Sequence, residues 1–171
     1  QSVERSDFIS LAELTDEVCC DLASIADQKK VELIQEEGDC TVTGSYLLLY
    51  RAVYNLVENA IKYNHSGGKV TVKISQTKAL PAAHSKPADY ALVEVTDTGI
   101  GISPEYQEKI FAPFFRVDKS RSRAMGGAGL GLALVAEIAR QHGGQVKVLA
   151  SSEQGSTIAL VLPINSPLIE I

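Results

Sequence analysis

"NLVENAIKYN", residues 55–64, has the apolar spacing of a helix and an unusual polar face. Leu49, Val53, Leu56 and Ala60 recur at steps of three and four and form an apolar stripe. Asn55, Asn59 and Lys62 fall within about 60° of one another, roughly 120° around the helix from that stripe. Asparagine is a poor helix former, because its amide competes for the backbone. One reading of this face is a plain solvated surface. The other is a ligand-facing rim: an amide oxygen is a hard neutral donor suited to Mg²⁺. The amide NH₂ can donate to a phosphate oxygen, Lys62 adds a point charge, and Tyr63 adds a hydroxyl at the helix end.

Working outward, the apolar positions Leu11, Leu14, Val18, Leu22 and Ile25 predict a helix over about 11–29. "VELIQ" and "CTVTG" read as short strands joined by the turn "EEGD", and Gly44-Ser45 offers the start of a helix that runs to about Tyr63. "KVTVKIS" (69–75) and "YALVEVTD" (90–97) alternate as half-buried strands do. The Pro/Ala-rich stretch 76–89 reads as their hairpin loop. "SPEYQEKIF" predicts a short helix with Ser103 as N-cap and Pro104 at its first position. Residues 112–127 read as a mobile, charged loop. "AGLGLALVAEIARQH" follows as a helix stopped by Gly143-Gly144, and "QVKVLAS" and "STIALVLP" close the chain as strands. No βαβ spacing and no repeat is visible. The expected fold is α+β: one domain over 1–171, a two-layer sandwich whose mixed, mostly antiparallel sheet is covered by helices on one face.

Composition narrows the class. The chain has 171 residues, 45% of them hydrophobic, and a net charge of −5, which speaks against a nucleic-acid surface. No apolar run approaches the roughly 20 residues of a membrane span, so a soluble chain is expected. Cys19, Cys20 and Cys40 are odd in number and lack CxxC spacing, and read as reduced thiols.

Two glycine-rich stretches carry chemistry. In "DTGIGIS" (97–103), strand alternation puts Asp97 on the face of Ala91, Val93 and Val95, at the edge of the helix layer near the Asn-bearing helix. A carboxylate there accepts a hydrogen bond from an exocyclic amine such as that of adenine, while a capping Asp in a turn is the plainer reading. Gly99 and Gly101 let backbone approach a flat ring. "GGAGLGLAL" (126–134) opens a helix, and its N–H groups make an anion site. It follows a loop rather than a strand, which argues against a dinucleotide fold.

Taken together and in this order, the motifs resemble those of the ATP-binding catalytic domain of bacterial sensor histidine kinases, within the gyrase, Hsp90, histidine kinase and MutL superfamily. "NLVENAIKY" is similar to that family's N box, "DTGIGIS" to its G1 box, "FAPFFRVDKSRSR" to its F box and lid, and "GGAGLGLALV" to its G2 box. The resemblance covers about residues 8–163, leaving a short tail at 164–171.

The resemblance implies a Bergerat-type ATP-binding fold with ATP and Mg²⁺ as ligands. Asn59 would be the Mg²⁺ ligand and Asn55 would share metal or phosphate contact. Lys62 and Tyr63 would touch phosphates or ribose. Asp97 would read the adenine amine, with Thr157 holding Asp97 or its water, and Gly99 and Gly101 would flank the base. Arg116 would reach a terminal phosphate. Gly127, Gly129 and Gly131 would let the lid and helix N-terminus wrap the triphosphate, and Leu130 and Leu132 would pack against base or sheet. Ala128 stands where the family often carries Thr or Ser. Catalysis would rest on Asn55, Lys62 and Arg116 as positioning and charge-neutralising groups. Related ATPases carry Glu at the position of Asn55; an amide cannot take a proton from water, so slow hydrolysis is expected and ATP is kept for a protein acceptor.

None of His65, His84 and His142 has the acidic following neighbour of a family phosphoacceptor. The resemblance therefore implies that the acceptor lies on an adjacent helical dimerisation domain absent from this chain, with a response regulator downstream. The isolated chain is expected to be a monomer, the cytoplasmic domain of a membrane-anchored sensor kinase. A nucleotide-binding regulatory module and an anti-sigma-type serine kinase of the same superfamily are the alternatives.

Overall fold

Helix α1 spans Leu11–Lys29 and helix α2 spans Tyr46–Lys62. Each starts at a serine that does what its position invites: Ser10 Oγ accepts from Glu13 N and Ser45 Oγ from Leu48 N. The α1 start has a second support from far along the chain, since Asp39 accepts from Ser10 Oγ and from Ala12 N. Helix α3 is Gly131–Gln141. It ends as the glycine pair suggests: Gly143 has φ +78 and its N–H reaches Arg140 O, while Gly144 N–H reaches Ala139 O. The computed structural model describes residues 7–78, 89–113 and 131–164.

The strands are β1 (Asp7–Ser10), β2 (Glu32–Gln35), β3 (Thr41–Gly44), β4 (Lys69–Thr77), β5 (Tyr90–Asp97), β6 (Gln145–Ser152) and β7 (Gly155–Pro163). Five of them form the main sheet in the order β2-β4-β5-β7-β6, and β1 pairs with β3 in a separate antiparallel ribbon. All main-sheet pairings are antiparallel except β2 with β4, which is parallel. Two expectations need correction here. "VELIQ" and "CTVTG" do not pair with each other, because β3 leaves for the ribbon with β1. A strand–helix–strand crossover does exist, from β2 through β3 and α2 to β4; the inserted β3 hides its spacing.

Among the described residues, three helices cover one face of the sheet. On β5, Ala91, Val93 and Val95 are buried toward them, opposite Leu162, Leu160 and Ile158 of β7. Leu14, Val18 and Leu22 of α1 and Leu49, Val53, Val57 and Ile61 of α2 complete the core. Each fully buried Leu, Val or Ile contributes about 1.5–3 kcal/mol. The buried stripe of α2 is wider than the sequence suggested and includes Ala52, Val57 and Ile61, because α2 lies between α1, α3 and the sheet.

Helices α1 and α2 run parallel. Tyr46 Oη donates to Glu17 and Tyr50 Oη to Asp21, each 29 positions apart. The same offset at successive turns requires equal direction. The stretch 103–111 is not the expected helix. It makes two 3₁₀ turns, Pro104–Tyr106 and Lys109–Phe111, and the Ser103 side chain makes no cap hydrogen bond. Pro104 does sit at the start of the first turn. The lid at 112–127 and the loop at 76–89 lie almost wholly outside the described residues.

Candidate functional site

Helix α2 carries Asn55, Asn59, Lys62 and Tyr63 along its flank and end, all half-buried. The polar face is therefore neither core nor open surface. It lies against the start of α3: a Cβ added to Gly131 would sit 3.9 Å from Asn55 Oδ1. Gly131, expected in the G2 loop, is thus brought to Asn55. Leu132 is half-buried and packs on the main core. Arg116, Gly127, Gly129, Leu130 and Ala128 lie outside the described residues.

The second part of the candidate site is the last residue of β5, Asp97. Asp97 shares the helix-facing side with Val93 and Val95, where strand alternation put it. Three donors hold its carboxylate. Gly99 N donates to Oδ1 at 2.8 Å, Ser156 N to Oδ1 at 3.3 Å, and Ser156 Oγ to Oδ2 at 3.0 Å. Oδ1 has both lone-pair directions taken, and Oδ2 keeps one for a further donor.

Ser156 corrects the role expected of Thr157. Asp97 faces Ser156 across the β5–β7 ladder, whereas Thr157 faces Thr96 on the other side of the sheet. The Thr157 hydroxyl lies 2.9 Å from the Thr96 hydroxyl. The period of two along a strand decides this: adjacent residues cannot both face Asp97. Sequence reasoning had the signal, since Asp97 and the β7 start were both in hand, but not the register.

The two G1 glycines also sit in tight packing. A Cβ at Gly99 would lie 2.5 Å from the Tyr63 carbonyl oxygen, at the end of α2. Gly101 has φ +76, and a Cβ there would lie 2.0 Å from Ser152 O in the β6–β7 turn. Protein backbone occupies the direction a side chain would take at each.

At the shared end of α1 and α2, Lys29 Nζ donates to the Lys62 carbonyl. Burial, then the neighbouring charge of Lys62, lowers the Lys29 ammonium pKa below the ordinary lysine value. Two cations thus stand beside the end of the Asn-bearing helix. His142 ties two helices together. It is buried at 2% exposure, with Nδ1 2.9 Å from Ile138 O and Nε2 accepting from Ser45 N. It joins the end of α3 to the start of α2. Cys19, Cys20 and Cys40 are free thiols.

The donor set fits Mg²⁺ better than a transition metal. Asn59 and Asn55 offer amide oxygens, and no group of three His, Cys, Asp or Glu side chains able to hold a metal occurs among the described residues. Mg²⁺ characteristically takes few protein ligands, with phosphates and water completing its shell.

Comparison with known proteins agrees with this layout. Residues 44–166 match the family of histidine kinase-, DNA gyrase B- and HSP90-like ATPases. The sensor-like histidine kinase SenX3 of Mycobacterium tuberculosis is 41% identical over 139 residues, which are 81% of this chain and 32% of SenX3. The chain therefore spans about a third of that curated relative. Among solved structures, the mycobacterial sensor histidine kinase MprB superposes with a TM-score of 0.72 at 29% identity, over 92% of this chain and 96% of that one. Full-length ShkA in complex with AMPPNP superposes with a TM-score of 0.74 at 25% identity, over 97% of this chain and 32% of ShkA. Among the described residues, no helix is long and apolar enough to cross a membrane. With its helix-covered mixed sheet and its N- and G1-type stretches meeting where Gly99 approaches the Tyr63 carbonyl, the chain belongs to the histidine kinase-, DNA gyrase B- and HSP90-like ATPase family, as a catalytic domain of the sensor histidine kinase type.

Proposed function

We propose that this chain binds Mg·ATP between the flank of α2 and the Asp97–Gly99 turn. It then transfers the γ-phosphoryl group to a histidine on a separate helical domain, within a two-component signalling protein. The observation that carries the reading is the Asp97 carboxylate. Three donors fix it, and its Oδ2 has acceptor capacity left for an adenine amine. The AMPPNP bound by ShkA, a structural relative, supports an adenine nucleotide as ligand.

The remaining groups divide the work. Asn59, with Asn55 beside it, would hold Mg²⁺, which when bound neutralises phosphate charge and orients the chain of phosphates. Lys62 places an ammonium at the same end, and Tyr63 adds a hydroxyl toward ribose or phosphate. Arg116 and the glycines Gly127 and Gly129 are assigned to the terminal phosphates from their motifs alone. Phosphoryl transfer asks for positioning and charge stabilisation more than for covalent help from the protein. Asn55 is an amide and cannot activate water as a base, so the bound nucleotide is conserved for the acceptor.

The test incubates the chain with γ-labelled ATP, with and without a helical acceptor domain from the same signalling protein. Acid-labile phosphohistidine on the added domain and none on this chain is the expected result. Label on this chain alone would refute the division of roles. Intact nucleotide binding with no label anywhere would favour a regulatory nucleotide-binding module.

A further inference from the structure

The proposed site draws on two elements, and their relative placement decides whether a base and its phosphates can be held at once. One is α2; the other is the turn after β5. Backbone packing brings them close at Gly99, beneath the Tyr63 carbonyl. Side-chain hydrogen bonds then connect them through Asn64 and Thr98.

Asn64 follows the end of α2 and is 6% exposed. Its Oδ1 accepts from His65 N at 2.9 Å and from Thr98 Oγ1 at 3.1 Å. Its Nδ2 donates to Lys69 O at 2.9 Å. Thr98 Oγ1 in turn accepts from Lys69 N at 2.9 Å. Helix end, β4 start and glycine turn are thereby closed in one polar ring. The ring leaves no room at Gly68, where a Cβ would lie 2.1 Å from Asn64 Oδ1 and 2.8 Å from Thr98 Oγ1. Thr98 lies between Asp97 and Gly99, whose N–H is one of the Asp97 donors. Whatever fixes Thr98 therefore fixes the carboxylate.

We infer that Asn64 and Thr98 are positioning residues that latch the Asn-bearing helix to the base-reading turn and tune adenine affinity through Asp97. The inference rests on the nucleotide site proposed above. Loss of the Thr98 hydroxyl leaves the Asn64 and Lys69 groups short of a partner and releases the turn.

The experiment uses Thr98→Val, Thr98→Ser, Asp97→Asn and the double variant Asp97→Asn/Thr98→Val. Calorimetry is run with Mg·ATP and Mg·GTP beside thermal melts. Thr98→Val should weaken Mg·ATP by about fivefold to tenfold. Thr98→Ser, which keeps the hydroxyl, should stay within about twofold of the parent. Thr98→Val should leave Mg·GTP unchanged, and it should add no further loss in the Asp97→Asn background. A purely structural role would lower both nucleotides alike and add fully to Asp97→Asn. Either of those results, or unchanged ATP affinity in Thr98→Val, overturns the latch while the nucleotide site stands. Thr98→Ala serves in the same way if the valine variant does not fold, and failure of both to fold makes the pair a stability element and overturns the proposal. Absence of ATP binding by the parent chain would overturn the nucleotide reading and the latch with it.

Discussion

Asp97→Asn isolates the base-reading step with little disturbance of the fold. The substituted amide can keep its oxygen at the Oδ1 position, where Gly99 N and Ser156 N donate. Its NH₂ then takes the Oδ2 position, and the Ser156 hydroxyl, now a donor to Oδ2, can rotate to accept. The geometry of the turn is therefore retained, and the thermal midpoint should change little. The ligand meets something different: where a charged oxygen had a free lone pair, it finds an N–H pointing at its own amine. A hydrogen bond to a charged group is worth about 1.5–3 kcal/mol. At about 1.4 kcal/mol per tenfold, ATP and ADP should bind roughly 10–100 times more weakly. Guanine presents a carbonyl where adenine presents the amine, so GTP should lose less or gain, and the ATP-to-GTP preference should collapse. Isothermal calorimetry with Mg²⁺ on both proteins reads all of this. Equal ATP affinity in parent and variant, with matching melts, would refute the role given to Asp97. An equal loss for ATP and GTP would refute base reading and leave only a structural carboxylate.

Asn59→Ala should abolish the dependence of nucleotide binding on Mg²⁺, so that titrations with Mg²⁺ and with EDTA coincide; a surviving difference would place the metal elsewhere. Gly101→Ala forces a side chain into the left-handed region and against Ser152 O, since φ is +76 and the new Cβ would lie 2.0 Å from that oxygen. The conformation alone costs about 1–2 kcal/mol, and a chemical denaturation midpoint equal to the parent's would count against the packing described. The Tyr46 phenol is pushed up to about 12, first by its hydrogen bond to Glu17, then by burial and the acidic neighbours Glu17, Glu13 and Asp21. A raised folded-state value means that this contact stabilises fully below about pH 10 and is lost as pH rises from 10 to 12. Melts followed by circular dichroism should show that alkaline loss shrinking in Tyr46→Phe, and an identical pH profile for the two proteins would contradict it.

The amino-acid order by itself marked most of the elements and suggested where a site lies. Apolar steps of three and four marked α1 and α2, serines and glycines marked their ends, and alternation marked β4, β5 and β7. These signals are legible because they are local: a cap, a stripe or a strand face is set by neighbours a few residues away. Local reading also placed Asp97 on the helix-facing side of β5, and the ordered Asn, DTGIG and glycine-rich stretches pointed to a nucleotide. Only the tertiary structure decided which residues meet. The β5–β7 register gave Asp97 to Ser156 and left Thr157 with Thr96. The separation of β3 from β2 concealed a parallel pair. The close backbone approaches at Gly99 and Gly101 arise from elements about 35 and 50 residues away. Asp39 at the α1 start and His142 at the α2 start are distant partners of the same kind. Such pairings depend on how strands slide and helices dock, which is settled by the summed burial of the whole core rather than by any stretch of sequence. Local patterns, through their resemblance to a family, thus suggested the ligand class, and long-range packing chose the side chains that hold Asp97 and the glycine turn.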